Sequence, residues 1–239
     1  MKKVLFAIAM VAVLCMTGCN KDNKIQKRLL MCGDEWDKYT FTYAEDGKLS
    51  FVDRNSGERT WSFKWSGNKA TVTYIKEGET KDPLSFTLGD NGFVSSYTDT
   101  YGDERSCTYD KDGHLLQVKK FDEVKCNCVW EKGDLVKWSR FSDGAEQYKE
   151  QTFMVDENLA GIFPDATDKA GIDRWMIEVG LFGKPSKHLL DQAAWEGSGQ
   201  VAVQTYTKDE DGFVTKVEKV FDGGEPEIYE YQWEVIEKK

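Results

Sequence analysis

The chain is poor in proline, histidine and clustered positive charge. Four prolines among 239 residues leave most of its length free to make β ladders, since proline removes a ladder donor. With only His114 and His188, a histidine-built metal centre has almost no ligands to draw on. Lys and Arg number 32 against 42 Asp and Glu, for a net charge of -10. The basic residues are scattered among acidic ones, so the surface repels a phosphate backbone and nucleic acid is excluded as a partner. The one sustained apolar run, Val4 to Leu14, is too short for a membrane helix, which needs about 20 residues.

That run follows Met1-Lys2-Lys3 and precedes Met16-Thr17-Gly18-Cys19, the layout of a cleaved export signal. The last four residues resemble a bacterial lipobox, although Met16 stands where leucine is usual and Cys15 adds a second thiol. The resemblance implies a signal peptide over 1–18, lipidation of Cys19, and a membrane as partner through acyl chains rather than a spanning segment. Residues 19–35 read as the lipidated cysteine and a polar tether. Asp22 is not adjacent to Cys19, which favours the outer membrane, with the protein facing either the periplasm or the cell surface. A plain secretory signal with Cys19 incidental is the alternative. Removal of Lys2 and Lys3 with the leader leaves 30 basic and 42 acidic residues, a net charge of -12.

From Trp36 onward apolar residues alternate with polar ones. Tyr39, Phe41 and Tyr43 share a face, as do Trp61, Phe63 and Trp65, then Ala70, Val72 and Tyr74, and Leu84, Phe86 and Leu88. Period-two spacing of this kind marks half-buried strands. Short acidic-glycine sequences separate them: Asp46-Gly47, Asp90-Asn91-Gly92, Asp112-Gly113 and Asp211-Gly212, with Lys132-Gly133 a looser copy. Such pairs supply the positive φ that tight hairpins need. About eight strands are expected by Phe141, in an all-β antiparallel meander that must curl or close into a barrel or strongly curved sheet. The expected organisation is one β domain over 36–239.

The alternation breaks once. Asn158 to Pro164 carries Gly and Pro, after which Ile172, Trp175, Met176 and Val179 fall at helical spacing. A helical insertion over about 165–182 is expected, capped by Thr167 or Asp168 and stopped by Gly183 and Pro185, packed on or into the sheet.

The tyrosine followed by an acidic-glycine turn, as in Tyr109 to Leu115 and Tyr206 to Val214, is similar to the YD (Rhs-type) repeat. Together with the lipobox, Gly161-Ile162-Phe163-Pro164, Leu181 to Ser186 and the aromatic last strand, the chain resembles a family of uncharacterised Bacteroides-type lipoproteins with a porin-like β fold. The resemblance covers residues 36 to 236. It implies a curved sheet or small barrel on a lipid anchor and carries over no catalytic residue. A lipid-embedded porin is disfavoured, because outward Lys, Glu and Asp are costly in hydrocarbon.

The remaining chemistry is sparse. Cys32, Cys107, Cys126 and Cys128 could form disulfides in an oxidising compartment. A meander nevertheless sets Cys107 and Cys126 two strands apart, about 9.5 Å at about 4.8 Å per strand, beyond the roughly 7 Å reach of a bridge. Buried free thiols and a rearranged bridge both remain open. Asp110 to Gly113 and Asp209 to Gly212 resemble the opening of a calcium loop without its later ligands. No triad, nucleophile motif or paired carboxylates stand out, so no enzyme, cofactor or metal is expected. Two readings follow: a structural or protein-interaction module of the cell envelope, or a lipocalin-like binder of an apolar ligand or glycan. In the second, Trp61, Phe63, Trp65, Tyr229, Tyr231 and Trp233 are the candidate ligand contacts.

Overall fold

The computed structural model describes residues 26–99, 101–142, 145–162 and 172–236. The export signal, Cys19, and the Thr167 and Asp168 capping positions lie outside the described residues. The strands are β1 (Gln26–Gly33), β2 (Lys38–Tyr43), β3 (Leu49–Arg54), β4 (Arg59–Ser66), β5 (Lys69–Lys76), β6 (Glu79–Thr80), β7 (Leu84–Leu88), β8 (Val94–Thr98) and β9 (Glu104–Tyr109). They continue as β10 (Leu115–Lys120), β11 (Glu123–Glu131), β12 (Asp134–Ser142), β13 (Ala145–Glu157), β14 (His188–Trp195), β15 (Val201–Lys208), β16 (Val214–Phe221) and β17 (Glu227–Ile236). One helix, α1 (Arg174–Glu178), lies between β13 and β14.

Apart from the short β6, each strand pairs antiparallel with the next in the ring, and β1 pairs with β17 from Gln26↔Ile236 to Gly33↔Glu230. The result is a closed barrel of 16 strands. The two-residue β6 stands outside the ring, paired only with the end of β5, while β7 continues the wall from β5. Closure leaves the ring, among the described residues, without an edge strand to template aggregation. Two sequence expectations need correction. Residues 26–33 are a wall strand rather than tether, and ten ring strands, not about eight, lie between Trp36 and Phe141, because several are only five or six residues long.

One rim carries turns 44–48, 67–68, 89–93, 110–114, 132–133 and 209–213, together with the long connection from β13 to β14. We call it the plugged rim, and the opposite end the far rim. Four of its turns have the same backbone circuit. In the last of them Asp209 N donates to Phe213 O (2.8 Å) and Gly212 N to Asp209 O (3.0 Å), and the turns starting at Ala44, Gly89 and Asp110 match it. Glycine is required at the fourth position, where φ is +82 to +92. A fifth copy, starting at Asp99, sits on the far rim.

A barrel of this strand number ordinarily encloses a wide lumen. Here the chain fills its own. Asn158 clasps the two limbs of the connection between β13 and β14 where they meet the plugged rim: its Nδ2 donates to Ile162 O (3.0 Å) and Ser186 O (3.1 Å), and its backbone N–H to Lys187 O (2.8 Å). The second limb runs under three hairpins. Leu181 O accepts from Val94 N, Lys184 N donates to Gly113 O and Lys187 N to Gly133 O, each at 2.9 Å. Gly183 makes this approach possible, since a Cβ there would lie 2.9 Å from Gly113 O at a φ of +104.

Candidate functional site

Within the barrel, α1 lies at the level of Cys32, Tyr39, Trp61 and Tyr229, close to the far rim. The stripe expected from spacing is buried, Ile172, Trp175, Met176 and Val179 all being at most 5% exposed, but Ile177 and Glu178 are buried as well, so the helix is enclosed on more than one side. The described helix is shorter than expected, five residues after an extended Asp173. Trp175 packs 5.3 Å from Trp61 and edge-on, 5.8 Å, to Phe63, while Phe182 meets Tyr97 edge-on at 5.2 Å. Aromatic pairs at such distances add to the burial of their area.

The six residues read from sequence as ligand contacts are therefore brought to one lumen. Trp61, 1% exposed, stacks on Tyr74 at 5.2 Å. Phe63 and Trp65 stack on each other at 6.2 Å, and Tyr231 on Trp233 at the same distance. Tyr229 lies under the Arg174 guanidinium, 4.2 Å from its ring centre. An apolar ligand on Trp61, Phe63 or Tyr229 would have to displace α1.

Alternation hides a second role for the aromatics. Six of them, each on a strand running toward the plugged rim, donate to a carbonyl of the preceding strand. Trp65, Trp130 and Trp233 Nε1 reach Leu49, Leu115 and Val214 O at 2.7 to 2.8 Å. Tyr43, Tyr109 and Tyr206 OH reach Leu29, Val94 and Leu190 O at 2.6 to 2.9 Å. A strand pairing that shifts beside a turn leaves a carbonyl without its ladder donor, and a buried carbonyl needs one. Such shifts fall at the acceptors Leu29, Leu49 and Val214, and the ladder to the donating strand ends short of each, at Met31, Phe51 and Lys216.

The buried charges are structural in their geometry. Arg174 Nη2 lies 3.4 Å from Tyr231 OH, whose oxygen is 3.3 Å from Glu178 Oε1, and Glu178 is 3.5 Å from Arg174 Nε. Burial by itself would lower the Arg174 pKa, but Tyr231, Glu178, Cys32 and Tyr229 around it outweigh that and raise it. The guanidinium stays charged. Burial, then the Glu178 charge, push the Cys32 thiol well above its usual range, so it is protonated and unreactive.

The turn aspartates also find partners within the chain. Asp209 Oδ1 accepts from the amides of Asp211 and Phe213, and Lys27 Nζ sits 2.7 Å from Asp209 Oδ2 and 2.5 Å from Asp211 Oδ2. Asp110 repeats this with the amides of Asp112 and His114 and, on its other oxygen, His114 Nδ1 at 2.8 Å. Asp99 does so with Tyr101 and Asp103 amides and the Arg105 guanidinium, 2.6 Å away. At the sequence that resembled a calcium loop, a lysine stands where the ion would. His188 Nδ1 is likewise 2.8 Å from Asp134 Oδ2. Among the described residues no group of three or more His, Cys, Asp or Glu is arranged to hold a metal.

Cys107 and Cys126 both face Val118 from the two sides of β10, two strands apart. All four described cysteines are free and buried. Cys126 and Cys128 approach to 3.9 Å between sulfurs. Burial pushes Cys107 up to about 12 and Cys126 well above its usual value.

Fold and interior thus define a closed antiparallel barrel plugged by its own chain. No family model and no curated protein matches the sequence, but solved structures share the architecture. A porin-like protein from Bacteroides uniformis ATCC 8492 superposes with a TM-score of 0.67 at 18% identity, covering 87% of this chain and 97% of that one. Another porin-like protein, from Bacteroides vulgatus ATCC 8482, gives a TM-score of 0.50 at 11% identity, over 86% and 98% of the two chains. The porin-like fold is shared; the repeat family suggested by the tyrosine turns is matched by no family model.

Proposed function

We propose that this chain is a lipid-anchored protein of the cell envelope whose barrel stands outside the bilayer and serves as a non-catalytic structural or protein-interaction module. The outward face of the wall supports this reading best. On β2 it presents Lys38, Thr40 and Thr42, on β4 and β5 Ser62, Lys64, Thr71 and Thr73, and on β17 Glu230 and Gln232, all exposed. A Lys or Arg in a lipid-facing position costs about 2–4 kcal/mol at the bilayer midplane, so a wall like this favours water. The export signal and lipobox supply the attachment. β1 enters at the plugged rim, and the six residues between Cys19 and Gln26 span at most about 20 Å. An acylated Cys19 accordingly keeps the plugged rim toward the membrane and turns the far rim outward.

The test is metabolic labelling with an alkyne fatty acid in the native host. The wild-type chain should carry label and sediment with membranes, while Cys19→Ala should be unlabelled and leave them. Label-free wild-type protein in the soluble fraction would remove the anchor from this reading. Ion conductance by the purified protein in planar bilayers would remove the extramembranous barrel.

A further inference from the structure

The far rim holds a cleft that shares only Tyr229 with the six lumen residues, and we propose that it binds an uncharged glycan, with Trp36 as the stacking platform. This deepens the interaction reading above and is independent of the lipid anchor. The cleft has a volume of about 630 Å³, within the size range of small-molecule sites. Its floor is Met31 and Gly33; one wall is the loop between β1 and β2, and the other is 226–230.

Trp36 is 78% exposed, an unusual position for the largest side chain. It is not on a loose loop. Asp34 Oδ1 accepts from the amides of Trp36 (2.8 Å) and Asp37 (2.7 Å). Asn55 Nδ2 donates to Trp36 O at 2.8 Å, and Asn55 Oδ1 accepts from Lys38 N at 2.9 Å. Arg54 bonds to Asp37 beneath. Gly33 has φ +136, and a Cβ there would fall 2.1 Å from Asp37 O, so the backbone is folded tightly against itself. A rigid loop that holds an indole in water has already met the ordering cost of binding.

The lining selects the ligand class. Asp34, Glu35, Glu227 and Glu230 line the cleft with one lysine, Lys38, a balance that disfavours anions such as uronic acids, sulfated sugars and phosphates. The carboxylates of Glu35 and Glu230 have no hydrogen-bonding partner among the described residues, leaving strong acceptors for sugar hydroxyls. A wholly apolar ligand would desolvate these groups without bonding them. A pyranose offers both surfaces needed: an aliphatic C–H face for the indole and hydroxyls for the carboxylates.

The experiment uses the full chain in detergent on an array of neutral, basic and acidic glycans, followed by titration of the best neutral oligosaccharide with tryptophan emission as readout. Saturable binding of a neutral glycan is expected, at least tenfold weaker in Trp36→Ala and weakened in Glu230→Ala, with Trp65→Phe unchanged. Absence of any neutral-glycan binding across the array overturns the proposal. So does binding that Trp36→Ala leaves intact, or a response confined to a polycation such as spermidine and abolished by salt. None of these results depends on whether Cys19 is acylated.

Discussion

The two ends of the barrel use the same residue types for opposite purposes. At the plugged rim, tyrosines and tryptophans turn inward and spend their polar tips on carbonyls of the preceding strand. At the far rim, Trp36, Tyr101 and Phe121 are 78, 86 and 70% exposed. Phe121 even holds a turn position at φ +52, a conformation that glycine or asparagine would adopt at less cost. Strain and exposure borne together at one end fit an end that meets other molecules. On the proposed reading, stability resides in the plug and its rim, and recognition in the opposite loops.

That division can be broken most sharply at Trp175. Replacing it with alanine removes the contact between α1 and both Trp61 and Phe63, and should cost about 3–5 kcal/mol in urea unfolding. A loss below about 1 kcal/mol would mean that the plug is not part of the cooperative unit. Acid probes the plugged rim next. Burial works to raise the Asp209 pKa, but Lys27 and the Phe213 amide hold it below its usual 3.8. Its contribution is therefore full above pH 3.8 and disappears as pH falls through the lower folded value. Asp209→Asn should lower stability at neutral pH by about 1–2 kcal/mol, and the gap from wild type should close in acid. A gap that stayed undiminished as the pH fell well below 3.8 would deny the carboxylate its role.

Smaller still, Trp65→Phe keeps the ring but leaves Leu49 O without its donor, for about 1 kcal/mol. The complementary change at the far rim is Trp36→Ala, which should alter stability by no more than about 0.5 kcal/mol while weakening glycan binding. If Trp36→Ala destabilised the fold as much as Trp65→Phe, the contrast between the rims would fail.

Much of the wall could be read from alternation, because Ala70, Val72 and Tyr74, or Leu84, Phe86 and Leu88, really do face inward. β1 escaped for a physical reason. Its inward position 27 is a lysine, 6% exposed, held by two aspartates and lying 4.9 Å over the Phe213 ring. A charge satisfied by partners more than 180 residues away reads as a tether residue. Lys149 and Gln204, 2% and 0% exposed, blur β13 and β15 in the same way. The stripe of α1 was visible as helical spacing, but its place inside the lumen depends on closure, which no local pattern encodes. Trp36 gave no signal, since an exposed tryptophan looks like a core residue until its loop is seen.

The seam between β1 and β17 ties the first described strand to the last, with Arg28 Nε 2.6 Å from Glu234 Oε2 across it. During synthesis the ring cannot shut until the final strand leaves the ribosome and finds the opening one. Until then two unpaired edges are available to other chains. The export proposed above would lengthen that interval, and a holding chaperone would be needed most in those moments.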